Sequence, residues 1–147
     1  MIGALIQARL GSKRLPNKVL KRVNKRILLE IMMSRLSQSK KLEKIIICTT
    51  TNKEDDKIVQ FCKKNNFLFY RGSSRDVMSR FLKAANKFNI SIIVRLTADC
   101  PLIDPKIVDK LIDSFKKSKV DYLANTCPPE NSTYPDGCDV EVFKLKT

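Results

Sequence analysis

The sequence predicts an α/β domain: a mainly parallel sheet with helices on both faces, Rossmann-like in layout. Three observations predict it. Short apolar runs of strand length alternate with longer segments whose apolar residues recur at helical spacing. The run 44–49 (Lys-Ile-Ile-Ile-Cys-Thr) is apolar without alternation, as expected of a central parallel strand covered on both faces. The chain has 147 residues and 43% hydrophobic content, which suits one domain with its own core. A domain of that length buries roughly 70% of its unfolded surface and needs no disulfide or metal staple.

Taken in order, residues 2–7 read as the first strand. Residues 25–37 read as a helix, with Leu28, Ile31, Met32 and Leu36 on one face. After the strand at 44–49, residues 54–65 read as a helix whose first turn carries Glu54, Asp55 and Asp56, where acids favour the helix dipole. Residues 67–70 form a short strand, and 74–88 a helix with Val77, Phe81, Leu82, Ala85 and Phe88 on one face. Residues 91–96 are a buried strand. A helix then runs from Asp104 as N-cap, with Pro105 at its first position, to about residue 117. Residues 120–124 and 140–143 read as two further strands, separated by an irregular loop containing Pro128, Pro129, Pro135 and Gly137. Right-handed crossovers are expected throughout. The chain reads as a single domain, 1–147, that stops short of the element expected to cover its last sheet edge.

The residue inventory narrows the chemistry. There is no histidine, which excludes Ser-His-Asp and Cys-His catalysis and any His-ligated metal. The five cysteines form no C-x-x-C pair, so they read as free, mostly buried thiols of a reducing compartment. No apolar run reaches the roughly 20 residues of a membrane span, and the N-terminal run is too short for a signal peptide; a cytoplasmic location is expected. The net charge is +14, but the lysines are spread over nearly every polar segment. With no Trp, and with the phenylalanines in apolar patterns, nucleic acid is not the expected partner. Carboxylates, Lys, Arg and backbone amides remain, a set suited to phosphoryl or nucleotidyl transfer.

In a parallel sheet of this kind, ligands bind beyond the carboxyl ends of the strands. The segment after the first strand, Ala8-Arg9-Leu10-Gly11-Ser12-Lys13-Arg14-Leu15-Pro16-Asn17-Lys18, places four cations around Gly11 and Ser12. Glycine permits φ > 0 and close approach of backbone N–H groups to an anion, and Arg and Lys supply forked and point-charge contacts to phosphate. No second glycine precedes a Lys as a P-loop requires, and the four glycines cannot make G-x-G-x-x-G. A solvent-facing charged loop is the competing reading. Just past the buried strand at 91–96, Asp99 stands where a carboxylate holds Mg²⁺ against nucleotide phosphates, or where a turn aspartate bonds its own backbone. Asp139 and Glu141 are two apart and share one face of an extended segment near Asp136; they bind sugar hydroxyls or face solvent.

Four ordered segments resemble a known family. Ala8-Arg9-x-Gly11-Ser12-Lys13-Arg14-x-Pro16-x-Lys18 is similar to the opening signature of CMP-sugar synthetases. Arg71-Gly72-Ser73-x-x-Asp76-Val77-x-Ser79-Arg80, Arg95-x-Thr97-x-Asp99-x-Pro101-Leu102-Ile103-Asp104-Pro105 and Tyr134-Pro135-Asp136-Gly137-x-Asp139-Val140-Glu141 extend the match. The resemblance is nearest to spore-coat polysaccharide cytidylyltransferases, with acylneuraminate and KDO cytidylyltransferases as more distant kin. It implies a glycosyltransferase-A-like nucleotidyltransferase fold and the reaction CTP + sugar → CMP-sugar + pyrophosphate, in polysaccharide biosynthesis. It implies Mg²⁺ as cofactor, held by Asp99. Nucleotide contacts are implied at Ala8, Arg9, Gly11, Ser12, Lys13, Arg14, Lys18, Arg71 and Thr97, with Lys18, Arg9 and Asp99 carrying the chemistry. A homodimer is implied for full-length members, whose later segment supplies a further acidic motif and much of the sugar pocket. A nucleotide-binding module without turnover, or an enzyme using another NTP, are the alternatives.

Overall fold

The computed structural model describes residues 1–12, 15–126 and 133–145. Its main sheet has six strands in the order β5-β4-β1-β6-β8-β7. These are β1 (Ile2–Gln7), β4 (Lys44–Thr50), β5 (Leu68–Gly72), β6 (Ile92–Thr97), β7 (Tyr122–Ala124) and β8 (Glu141–Lys144). β1 lies at the centre, paired in parallel with β4 (Leu5 opposite Ile46) and with β6 (Leu5 opposite Arg95). β5 joins β4 in parallel, whereas β8 is antiparallel to both β6 and β7. The mainly parallel expectation therefore holds, and β8 is the one strand of the six running against the rest.

The helices are α1 (Leu28–Leu36), α2 (Asp56–Lys64), α3 (Val77–Phe88) and α4 (Pro105–Lys117). Strand alternation decides what each meets. Ala4, Ile6, Ile47, Val94 and Val142 point to one face and are buried with Leu29 and Met32 of α1, Ile58 of α2, and Val108 and Ile112 of α4. Leu5, Ile46, Cys48 and Ile93 point to the other and are buried with Phe81, Ala84 and Ala85 of α3. Three helices thus cover one face and one helix covers the other.

This layout departs from uniform crossover hand. β1 leads through α1 to β4 on one side of the sheet, and β6 leads through α4 to β7 on the opposite side. Both helices lie on the same face, tied together by Arg35 Nε donating to Ile103 O at 2.8 Å and by Lys41 pairing with Asp113 at 2.8 Å. Two same-face crossovers running in opposite directions have opposite hands, so the β6–α4–β7 connection differs from the other three. The antiparallel β8 lies between β6 and β7, so these two strands are not neighbours of a simple βαβ unit. The consequence is that, among the described residues, α3 is the helix on its face, and Tyr122, Glu141 and Phe143 of β7 and β8 stay partly exposed there.

Two boundaries differ from the sequence expectation. Residues 22–27 are not helical: β2 (Arg22–Val23) and β3 (Arg26–Ile27) form a small antiparallel hairpin. Its central residues, Asn24 (φ 48°) and Lys25 (φ 69°), are both left-handed, the requirement of a tight hairpin turn whose twist matches its strands. The helix starts at Leu28, with Glu30 of its first turn accepting from Ile27 N at 3.4 Å. The acid-rich start of the next helix is a 3₁₀ turn, Lys53–Asp55, before α2 proper. As expected, Asp104 caps α4, accepting from Lys106 N at 2.8 Å.

Candidate active site

β1 is where the strand order reverses: the chain first moves out to β4 and β5, then returns to β6 on the other side. In open α/β sheets the crevice beyond this point is the ligand site. Here it is a cleft of about 490 Å³ lined by Gln7, Arg9, Gly11, Ser12, Lys18, Val19, Thr97 and Asp99. Six residues singled out in the sequence, Arg9, Gly11, Ser12, Lys18, Thr97 and Asp99, therefore meet around one space.

The local folding that brings them there is specific. Ala8 N donates to Cys48 O at 3.1 Å, prolonging the β1–β4 ladder by one residue, so Ala8 is buried beneath the loop. Leu10 N donates to the buried Asp55 carboxyl at 2.7 Å, whose other oxygen accepts from Thr50 Oγ1. The first loop is thereby fastened to the end of β4, and exposed Arg9 and Gly11 project on either side of an anchored Leu10. Gly11 does not take a left-handed φ, and a Cβ there would meet only the carboxylate end of exposed Glu54, 2.9 Å from its Oε1. Asn17 takes φ 56° and turns the chain into the 3₁₀ segment Lys18–Leu20, with buried Val19 as its plug.

Lys18 Nζ and Asp99 Oδ2 lie 2.9 Å apart across the cleft. The two residues are 81 positions apart in sequence, so the fold alone makes this pair. Burial pushes the Asp99 carboxyl upward, but hydrogen bonds from Lys18 and Thr97 and the Lys18 charge outweigh it and hold it below its ordinary value. The contribution of a depressed carboxylate is present above its unfolded pKa and is lost as pH falls through the lowered folded value. Both side chains are partly exposed (29% and 44%), so the pair is open to exchange with a ligand.

Among the described residues that line the cleft, Asp99 is the carboxylate a divalent cation would find. Among the described residues no group of three or more His, Cys, Asp or Glu side chains could hold a metal. Asp99 already accepts a cation, the Lys18 ammonium, and a single carboxylate suits Mg²⁺, which retains waters and takes phosphate oxygens.

The remaining expected residues lie elsewhere. Arg71 does not line the cleft: it donates to Thr50 O (2.9 Å) and Asn52 O (3.0 Å) and pairs with Asp56 (2.7 Å), bracing the loop after β4. Lys13 and Arg14 fall outside the described residues. Asp136 is exposed, Glu141 is paired with Arg95 on the α3 face of the sheet, and Asp139, also exposed, stays near the cleft: its charge acts on Cys100, the neighbour of Asp99. Cys48 and Cys62 are buried free thiols, Cys100 and Cys138 are half-buried, and Cys127 lies outside the described residues. Sequence reasoning gave no role to Gln7 or Val19. Gln7 had a signal, a polar side chain ending an otherwise apolar strand; Val19 had none.

A mainly parallel sheet with Arg9 and Lys18 meeting Asp99 in a cleft at the switch point has the layout of a nucleotide-binding α/β protein. Comparison with known proteins sharpens this. The family model described as cytidylyltransferase matches residues 3–133, and the chain belongs to that family. It is 38% identical over 122 residues to the spore coat polysaccharide biosynthesis protein SpsF of Bacillus subtilis, covering 80% of this chain and 51% of that protein. A cytidylyltransferase structure from Leptospira borgpetersenii is 42% identical with a TM-score of 0.89, over 98% of this chain and 60% of that one. A CMP-2-keto-3-deoxy-manno-octonic acid synthetase, solved with CTP, shares the fold at a TM-score of 0.76 and 16% identity, over 98% of this chain and 74% of that one. The chain spans about half the length of the curated relatives it matches. No helix among the described residues is long and apolar enough to cross a membrane.

Proposed function

We propose that the cleft binds CTP with a divalent cation, Mg²⁺ by preference, and that the protein transfers CMP to a sugar hydroxyl in the synthesis of a polysaccharide precursor. The observation that carries this reading is the meeting of Lys18 and Asp99 at 2.9 Å on the rim where β1 and β6 end, beneath a loop carrying Arg9, Gly11 and Ser12. The family and the CTP-bound relative support the choice of nucleotide.

In this reading Asp99 would hold the cation, which when bound supplies neutralisation of charge on the phosphates. Lys18, released from Asp99, turns its ammonium to the α-phosphate, where negative charge builds in the transition state. Arg9, with Lys13 and Arg14 of the same loop, holds the leaving pyrophosphate, and the backbone of Ala8 to Ser12 fixes the nucleotide. The acceptor oxygen forms a bond to the α-phosphorus as the bond to the β-phosphate oxygen breaks; pyrophosphate leaves and the hydroxyl proton passes to the medium. Thr97 sits beside the reacting end. Arg71 acts on the nucleotide through the loop it braces.

The test is pyrophosphate release from a panel of CTP, UTP, GTP and dTTP with candidate sugars. Release with CTP alone is expected. Release with another nucleotide in preference to CTP would contradict the choice, and CTP binding without any release would assign the chain nucleotide binding only.

A further inference from the structure

Arg80 is a cation with no place in the cleft wall, and it is 1% exposed. It belongs to the first turn of α3, which begins beyond the carboxyl end of β5, at the sheet end where the cleft opens. A helical side chain leans toward its own N-terminus, and Arg80 does so: Nη1 donates to Ser73 O at 2.7 Å. Its stem lies against Gly72, where a Cβ would stand 2.9 Å from Arg80 Cγ. Nε and Nη2 are buried without a hydrogen-bond partner. Two charges near the cleft reach this guanidinium, Arg9 as a like charge and Asp55 as an opposite one. Asp55 is already engaged, accepting from Leu10 N and Thr50 Oγ1. Burial lowers the Arg80 pKa from its ordinary value, and Arg9 adds to that; a guanidinium nonetheless stays protonated.

A buried cation with two unmet donors weakens a fold, and an apolar side chain of similar length in its place is neutral or stabilising. Arg80 therefore does not owe its position to stability. We infer that Arg80 supplies a fixed positive field to the nucleotide cleft without touching the ligand, and that this field sets the preference for a nucleoside triphosphate over a monophosphate. The inference rests on the nucleotide reading of the cleft. In the free protein Arg80 and Arg9 repel each other, and the arriving phosphates relieve that repulsion in proportion to their charge. A charge surrounded by protein is screened far less than one in water, so it acts beyond contact distance. The bond to Ser73 O fixes the guanidinium in advance, so its field needs no rearrangement when the ligand binds. The uncharged nucleoside part gains little from it. Arg80 thus discriminates by charge, whereas the residues lining the cleft discriminate by contact.

The experiment titrates CTP and CMP, each with Mg²⁺, into the parent chain, Arg80→Gln and Arg80→Met by calorimetry. Glutamine keeps a donor for Ser73 O and removes the charge; methionine keeps an unbranched stem and removes both. Each variant is expected to lower the ratio of CTP to CMP affinity by about tenfold or more, with most of the loss on CTP. Urea unfolding of Arg80→Met is expected to show a midpoint at or above that of the parent, because a buried charge has gone. A merely structural role would weaken CTP and CMP alike and leave their ratio where it was. A ratio unmoved in the folded variants overturns the inference and leaves the nucleotide site standing. A midpoint below the parent's in both variants, or loss of folding in both, makes Arg80 a structural residue and overturns it as well. Should Arg80→Met alone fail to fold, Arg80→Gln still gives the ratio that decides. Failure of the parent to bind either nucleotide removes the nucleotide reading and this inference with it.

Discussion

Replacing Asp55 by Asn should loosen the nucleotide loop and destabilise the whole domain. The Asp55 side chain is fully buried and receives two donors, Leu10 N at 2.7 Å and Thr50 Oγ1. Asparagine keeps one carbonyl oxygen for Leu10 N, but its amide would donate to Thr50 Oγ1 and leave the Thr50 hydroxyl proton without the carboxylate that now accepts it, in a space closed to water. A hydrogen bond to a carboxylate is worth about 1.5–3 kcal/mol, and an orphaned buried donor costs about 1–3 kcal/mol. A net loss of about 2–3 kcal/mol follows, out of the roughly 5–15 kcal/mol typical of a whole domain. At about 2–4 °C per kcal/mol for a chain of this size, the melting temperature should fall by about 4–12 °C. Urea unfolding read by circular dichroism checks the free energy, with Thr50→Val as the milder companion because it removes a donor and leaves the Leu10 bond intact. Since Leu10 lies between Arg9 and Gly11, CTP affinity measured well below the transition should fall as well. A free energy within about 0.5 kcal/mol of the parent would refute the anchoring argument. A destabilised protein with unchanged CTP affinity would show that the loop does not depend on this anchor for binding.

Other consequences can be measured independently. Lys18→Ala should lower the rate of CMP transfer by at least tenfold while changing CTP affinity less, because its interaction strengthens as charge builds on the α-phosphate; equal effects on rate and affinity in steady-state kinetics would contradict that role. In the native protein Cys48 and Cys62 should resist thiol reagents at pH 8, being buried and pushed up to about 12 by desolvation, whereas half-buried Cys138 should react before them; burial also raises the Cys100 thiol and slows it. Mass spectrometry of alkylated peptides reads this directly, and early labelling of Cys48 would contradict the packing under α3. The same raised values mean that their contribution to stability is present below the ordinary thiol pKa near 9 and is lost as pH rises toward 12.

Much of this architecture could be read from the residues because local and global signals agree. The unbroken apolar run ending at Cys48 is a central strand, and Phe81, Ala85 and Phe88 share the face of α3 that their spacing implied. The hairpin at residues 22–27 escaped because Lys25 and Arg26 are good helix formers, and only Asn24 signals a turn; two left-handed residues in a row override propensity. The hand of the β6–α4–β7 connection escaped because amphipathicity tells that α4 buries one face, not which side of the sheet it meets. At the site, the cations and Asp99 could be identified as types, but their convergence depends on β1 lying between β4 and β6. Arg71 illustrates the opposite case: its position invited a nucleotide contact, and three nearby oxygens, two of them backbone carbonyls, take up its guanidinium instead. The Arg95–Glu141 pair joins residues 46 apart that only strand register brings together.

The most direct measurement is calorimetric titration of CTP into the parent chain and into Asp99→Asn, each with and without Mg²⁺. The account expects Mg²⁺ to tighten CTP binding in the parent and that gain to vanish in the variant, whose amide is a poor magnesium ligand and no longer pairs with the Lys18 charge. Equal affinity with and without Mg²⁺ in the parent, or an undiminished gain in Asp99→Asn, would contradict the claim that this cleft is built around a metal-chelated triphosphate.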